Sequence, residues 1–246
     1  MHLLLLSNSR QHGRAFLEHA RDAVLEVVPR RGTLAFVPYA LDDHEAYTKI
    51  VQDAVADLGI TVRGVHESAD PGDVVTGSDA VFIGGGNTFR LLARLYETQL
   101  IEPLRTLVRS GLPYIGSSAG TNVACPTIRT TNDMPIVQPP SFGALGLVPF
   151  QINAHYVDAN PDSTHMGETR EKRLEEFLEC NDAVVLGLRE GGWLCVRDAA
   201  AWTGGDKPAR VLRRGATPSE VAPGTRLDDL LQETPRFDVG GAPVDQ

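Results

Sequence analysis

Gly111-Leu112-Pro113-Tyr114-Ile115-Gly116-Ser117-Ser118-Ala119-Gly120 is the stretch on which the fold turns. Residues 113–115 read as a short buried strand entered from a turn at Gly111, and residues 121–124 can continue as a helix. Between them, Gly116-Ser117-Ser118-Ala119-Gly120 has the G-x-S-x-G pattern of a nucleophile elbow. There a sharp strand-to-helix turn lifts one serine above the sheet edge, and its neighbours are small because larger side chains would clash. The helix N-terminus then lies under Ser118, where free N–H groups and the positive dipole end favour an oxyanion. A plain strand-helix connection uses the same small residues, so the surrounding sequence has to decide.

Working outward, strand-like runs at residues 3–6, 34–38, 61–65, 80–83 and 114–116 alternate with helical patterns. Phe16, Ala20, Val24 and Val27 repeat at helical spacing, and Tyr47, Ile50, Val51, Ala54 and Leu58 do so more clearly. This alternation predicts an α/β fold, a mostly parallel sheet flanked by helices, with ligand loops at the carboxyl ends of the strands. One such end is Gly84-Gly85-Gly86-Asn87-Thr88, where glycines let the backbone approach a ligand and Asn87 or Thr88 can cap the next helix. Phosphate binding and a second oxyanion donor are the two readings of this loop. No G-x-G-x-x-G is completed and no Walker lysine follows, which favours the oxyanion reading.

Past the elbow, Pro126, Pro135, Pro139, Pro140 and Pro149 break residues 126–153 into loops and short pieces. Within residues 150–158 the pattern reads as a strand ending in His155, residues 168–180 read as an amphipathic helix, and residues 183–188 as a buried strand ending at Arg189-Glu190-Gly191-Gly192. Short strands at 194–196 and 209–212 follow, and the tail after 234 has little to order it. Without an internal repeat or a linker, residues 1–246 read as one domain.

Composition narrows the function. The 246 residues are 42% hydrophobic and 22% charged, with a net charge of -9 and no run of Lys and Arg, so a nucleic-acid surface is not expected. An acidic substrate would need local cations, and Arg129, Arg170 and Arg189 lie near the motifs. Cys125, Cys180 and Cys195 have neither metal-ligand spacing nor a disulfide count, and read as free thiols of a reducing compartment. The apolar run at 3–6 ends after four residues and follows no basic segment, so it reads as a first strand and not as a signal peptide. No stretch approaches the ~20 apolar residues of a membrane span. A cytoplasmic protein with no membrane partner is the expectation; oligomeric state is left open, with a homo-oligomer compatible.

A serine alcohol needs a base within hydrogen-bond reach, and the base needs an acceptor that fixes its tautomer. His2, His12, His19, His44 and His66 read as surface or core histidines. His155 stands in the loop-rich region after the elbow, with His165 in a polar loop as the runner-up. For the acid, Asp133 would give the order Ser, Asp, His, and Glu190 the order Ser, His, Glu. Glu190 ends a buried strand, where a carboxylate requires a cation or an imidazole, so an ion pair with Arg189 or Arg170 is its competing role. The assignment is Ser118, His155 and Glu190, with Asp133 as a pocket residue.

At this point the motifs resemble a known family. Ser118-Ala-Gly-Thr-Asn-Val-Ala-Cys-Pro-Thr-Ile-Arg-Thr-Thr-Asn-Asp-Met-Pro-Ile-Val-Gln-Pro-Pro140 strongly resembles the peptidase E family, the cytoplasmic α-aspartyl dipeptidases. So do Ile83-Gly-Gly-Gly-Asn87, Asn153-Ala-His155, Gly167-Glu-Thr-Arg-Glu171 and Gly187-Leu-Arg-Glu-Gly191, over roughly residues 80–195. The resemblance implies a glutamine amidotransferase-like fold with serine in place of cysteine, and a Ser118-His155-Glu190 triad. It implies hydrolysis of dipeptides with an N-terminal aspartate, without metal or cofactor. Cyanophycin hydrolases, which act on β-aspartyl units, resemble the same superfamily, and an esterase or acyl transferase would use the same triad. Within that frame Ala119 with Gly85 or Gly86 would supply the oxyanion hole. Arg170 would bind the substrate β-carboxylate with Arg129 as its rival, Asp133 would bind the α-ammonium, and Asn87 would line the substrate site.

Overall fold

A computed structural model describes residues 1–159 and 167–239. Its first strand, β1 (His2–Leu6), is leucine at four successive positions, all fully buried. Leu3 and Leu5 pack into one hydrophobic cluster, and Leu4 and Leu6 into another. Successive side chains of a strand point to opposite faces, so this strand must lie in the middle of a sheet covered on both sides.

The chain continues through α1 (Arg21–Val27), β2 (Thr33–Val37), α2 (His44–Val55), β3 (Thr61–Gly64), α3 (Pro71–Thr76) and β4 (Ala80–Ile83). Then come α4 (Thr88–Glu97), α5 (Ile101–Arg109), β5 (Tyr114–Ser117) and the short α6 (Ala119–Ala124). After a long irregular stretch follow β6 (Gln151–Ala154), α7 (Arg170–Cys180), β7 (Val185–Leu188), β8 (Gly192–Arg197), β9 (Ala200–Gly205), β10 (Ala209–Leu212) and β11 (Ser219–Val221). Among the described residues no helix is long and apolar enough to cross a membrane.

The main sheet has the order β3-β2-β4-β5-β1-β8-β9; its first five strands are parallel and its last two antiparallel. The fold is therefore mixed α/β with a mostly parallel sheet, as the alternation predicts. The strands read from residue 150, at 183–188 and at 209–212 join β11 in a second sheet, β11-β10-β7-β6, a pairing that the sequence reading did not make. Its strands are three or four residues long, and their pairing is set by tertiary packing rather than by any local pattern. Within it β6 and β7 run parallel with Ala154 opposite Leu188, so His155 and Glu190 leave the sheet one and two residues beyond that pair.

Several boundaries differ from expectation. The strand expected to end at His155 stops one residue earlier, at Ala154, because His155 takes φ +53, which ends the pleat. The strand expected to reach residue 65 ends at Gly64, where a 3-10 turn begins. The helix expected from Phe16 forms only from Arg21, after a 3-10 turn over Glu18–Ala20. Residues 235–239 are placed rather than loose: Asp182 and Arg236 exchange backbone hydrogen bonds, and Arg129 grips Asp238. The Arg129 guanidinium and the carbonyls of Cys180 and Asp182 that hold this segment come from distant sequence, so local composition carried no sign of it.

The elbow is fixed by close packing. A methyl group on Gly120 would stand 2.0 Å from the carbonyl oxygen of Ile83, and one on Gly116 would stand 2.6 Å from that of Gly120. The two outer glycines of the motif thus let α6 press against β4 and β5. Tyr114 Oη donates to Gly120 O at 2.6 Å and Thr121 Oγ1 to Leu6 O at 2.6 Å, tying α6 to the strands beside it.

Behind the second sheet a charge network buttresses the end of β7. The Arg189 guanidinium pairs with Asp158, from the segment after β6, and with Glu220 on β11, and it lies 5.3 Å from the Tyr156 ring centroid. Arg210 joins Glu220 to Glu171 on α7, and Tyr156 Oη donates to Glu171 at 2.7 Å. The hydrogen bonds from Arg189 hold the carboxyls of Asp158 and Glu220 below the usual range, and Arg210 does the same for Glu171.

Gly120→Ala should lower the free energy of unfolding by about 3 kcal/mol, the upper part of the overpacking range, in chemical denaturation. Arg189→Met should cost about 1 kcal/mol after screening of the exposed carboxylates. Depressed carboxyls add stability above their unfolded pKa values, about 4, and lose it as pH falls through the folded ones. The gap between wild type and Arg189→Met should therefore be full above about pH 5 and close below about pH 4. Melting curves across that range check it; a gap that widens in acid contradicts it.

Candidate active site

Ser118 sits between β5 and α6 with φ +51 and ψ -107, a conformation that costs a residue with a Cβ of order 1–3 kcal/mol. Surrounding bonds hold it there: the Ser118 N–H donates to Leu6 O at 3.1 Å, and its carbonyl accepts from the Asn122 N–H at 2.9 Å. The preceding Ser117 points away; it is fully buried, and its hydroxyl has no partner among the described residues.

His155 comes from the other sheet. Its Nε2 lies 2.9 Å from Ser118 Oγ, and its Nδ1 lies 2.8 Å from Glu190 Oε1. With Nδ1–H given to Glu190, Nε2 is left to accept from the serine hydroxyl. Glu190 was expected to be a buried carboxylate, but its side chain is 58% exposed. It follows the strand end by two residues and so reaches the rim, where water stabilises it as well as His155. Neither competing ion pair forms: Arg189 is turned to Asp158 and Glu220, and Arg170 donates to Asn132. His165 lies outside the described residues.

A cavity of about 530 Å³ opens over Ser118 and His155, lined also by Asn8, Ser9, Arg10, Tyr47, Gly85, Gly86 and Asp133. Of the expected oxyanion donors, Gly85 is already engaged. Its N–H donates to Tyr47 Oη at 2.8 Å. The N–H groups of Gly86 and Ala119 have no acceptor among the described residues. Burial pushes the Tyr47 hydroxyl up to about 12, so it stays protonated at neutral pH.

Asp133 is held as a pocket residue by the start of α4. Its Oδ2 accepts from Thr88 N–H at 2.8 Å, Thr88 Oγ1 at 2.5 Å and Thr131 Oγ1 at 3.2 Å, which leaves Oδ1 for another donor. It also borders a second, polar cavity of about 190 Å³ that contains Arg170, Arg173, Asn132 and Asn153. Arg170 is half-buried with no carboxylate within 4.0 Å among the described residues; burial lowers its pKa, Arg173 adds to this and Asp133 opposes it. Arg170 thus stands behind Asp133 and not on the wall of the larger cavity.

Two expected substrate contacts are otherwise occupied. Arg129 makes a two-point pair with Asp238. Asn87 caps α4 through Arg90 N–H at 3.0 Å and donates to Met134 O at 2.8 Å, so both ends of its amide serve the loop. The sequence reading passed over Ser7, Asn8, Arg10 and Tyr47, taking the first two as a strand stop and Tyr47 as a helix face. Ser7 Oγ accepts from His155 N–H at 3.0 Å and donates to Leu188 O at 2.8 Å. Asn8 Oδ1 accepts from Gly191 N–H at 2.8 Å. Their one visible signal is position, just past a central strand. Among the described residues, Glu45, His66 and Glu67 are the one group with metal-ligand atoms mutually within 4.8 Å, and none lines this cavity.

Known proteins share this arrangement of sequence. A model of peptidase family S51 matches residues 3–203. The chain is 61% identical over 240 residues to a Streptomyces coelicolor protein named peptidase E, covering 98% of this chain and 99% of that one. It is 50% identical over 234 residues to a Drosophila melanogaster protein named a probable alpha-aspartyl dipeptidase, covering 94% and 98%. A solved peptidase from an acI-B1 Actinobacterium superposes with a TM-score of 0.69 at 16% identity, covering 92% of this chain and 96% of that one, which speaks to the fold alone. With the model spanning most of its length and such relatives matched almost end to end, the chain belongs to peptidase family S51.

Proposed function

We propose that the protein is a serine dipeptidase that removes an N-terminal aspartate from dipeptides. The observation that carries this reading is the Ser118-His155-Glu190 relay, with contacts of 2.9 and 2.8 Å on a strained elbow. The names of the two relatives supply the substrate class.

In the proposed reaction His155 Nε2 takes the Ser118 proton as Oγ attacks the aspartyl carbonyl, and Glu190 holds the imidazolium that forms. The N–H groups of Ala119 and Gly86 take the oxyanion; losing one such donor costs about 3 kcal/mol in the transition state. His155 then protonates the departing amine, and water attacks the acyl-enzyme by the same relay in reverse. Asp133 Oδ1 receives the substrate α-ammonium. The aspartyl side chain passes Asp133 into the 190 Å³ cavity, where Arg170 has no carboxylate partner among the described residues. A glutamyl side chain is one methylene longer, and a neutral asparagine leaves the guanidinium without an anion, so both are disfavoured.

Asp-Leu, Glu-Leu, Asn-Leu and a β-aspartyl dipeptide, offered to the wild type, Ser118→Ala and Ser117→Ala, test the assignment. Cleavage confined to Asp-Leu, reduced more than about 10³-fold by Ser118→Ala and largely kept by Ser117→Ala, is the expected pattern. Cleavage of the β-aspartyl bond alone would move the enzyme to the cyanophycin-hydrolase chemistry. Arg170→Ala should lower kcat/KM for Asp-Leu about 100-fold, the loss of a charge-assisted carboxylate contact. An unchanged kcat/KM would sink Arg170 as the carboxylate ligand.

A further inference from the structure

Among the described residues, Arg10 is the one arginine or lysine on the wall of the cavity over Ser118. It stands on the segment that leaves β1, and that segment is anchored: Asn8 Nδ2 donates to Arg10 O at 2.6 Å while Asn8 Oδ1 holds Gly191 N–H. The Arg10 guanidinium carbon lies 5.8 Å from the ring centroid of Phe16, another wall of the cavity. No carboxylate among the described residues comes within 4.0 Å of it. A guanidinium stacked on a ring and facing a cavity without a counterion is a site for an anion.

The proposed reaction fixes where that anion lies, and the inference rests on that reading. The departing amine takes its proton from His155, so the leaving residue occupies the His155 side of Ser118. The segment that carries Arg10 starts on that side: Ser7, three residues before it, binds the His155 N–H, and Asn8 joins the same segment to the residue after Glu190. Asp133, which also borders the second cavity with Arg170, serves the acyl half. A dipeptide carries a carboxylate one residue beyond the bond to be cut. We propose that Arg10 binds the C-terminal carboxylate of the leaving residue and thereby selects peptides that end there. A longer peptide offers a neutral amide at this point, which leaves the cation without its charge partner. The neutral Tyr47 hydroxyl on the same wall adds no competing negative charge.

The test compares Asp-Leu with aspartyl p-nitroanilide, which has the same acyl half and no carboxylate on its leaving group, for the wild type, Arg10→Ala and Arg10→Lys. In Arg10→Ala the ratio of kcat/KM for Asp-Leu to that for the anilide should fall about 30-fold, chiefly through KM, from the loss of one charge-assisted contact. Arg10→Lys, which keeps the charge and loses the fork, should recover part of the ratio. Because the anilide reports folding and chemistry in each variant, a ratio within twofold of wild type in Arg10→Ala overturns the assignment of Arg10 alone. A folded wild type that cleaves neither substrate overturns the aspartyl dipeptidase reading and the Arg10 assignment with it.

Discussion

One buried hydroxyl joins the two sheets at the point where the relay is assembled. Ser7 Oγ donates to the last carbonyl of β7 and accepts from the N–H of His155, just past β6. Ser7 itself continues β1, whose final carbonyl, Leu6 O, receives both the Ser118 N–H and the Thr121 hydroxyl. The elbow and the imidazole are therefore referenced to the same two residues. Two sheets packed through apolar side chains alone could slide by a fraction of an ångström with little penalty, since apolar packing is not directional. A hydrogen bond between buried groups is directional, and breaking it strands a donor or an acceptor. A 2.9 Å contact between Ser118 and His155, carried on different sheets, depends on that stiffness.

The same region stores strain on both sides of the contact. Ser118 and His155 both have positive φ, +51 and +53, where residues with a Cβ are disfavoured. At each, the turn lifts the side chain out of its strand direction and toward the other sheet. The opposing stabilisation is visible: α6 packed through Gly120 beneath the serine, and the Arg189 network behind the strand that leads to Glu190. Stability gathered in these supports holds a geometry that the local backbone would leave if it were free.

What the sequence made legible follows from the range of the forces involved. The parallel sheet could be read because strand and helix periods are local, and four consecutive leucines have one comfortable home. Ser118, His155 and Glu190 could be singled out because chemistry restricts residue types and strand ends restrict places; the structure brings them to 2.9 and 2.8 Å. Most strands of the second sheet could be read one by one, but not their pairing apart from the main sheet, since local pattern does not say which strands meet. Nor could the fates of the arginines, because an arginine reaches several residues in any direction and its partner is set by tertiary placement. Arg129, for instance, meets Asp238 across 109 positions, while Arg170 has no carboxylate partner among the described residues. Ser7 and Asn8 were invisible as functional residues because a short polar run after a strand is what any strand end looks like.

The glycine loop shows how neighbours distinguish residues that are identical in sequence. Each of its three glycines answers a different neighbour. A methyl group on Gly84 would stand 2.7 Å from the Tyr47 ring, one on Gly85 3.1 Å from Ser118 Cβ, and one on Gly86 2.5 Å from Ala40 O. Tyr47 fits because Gly84 has no side chain, and once seated its hydroxyl takes the Gly85 N–H. That bond engages the N–H of the Gly84–Gly85 peptide, while the N–H of Gly86 is left without an acceptor among the described residues. A sequence of three identical residues cannot say which amide stays free. The tyrosine that decides it lies on α2, 38 positions earlier, where helical spacing gave it the look of an ordinary core residue.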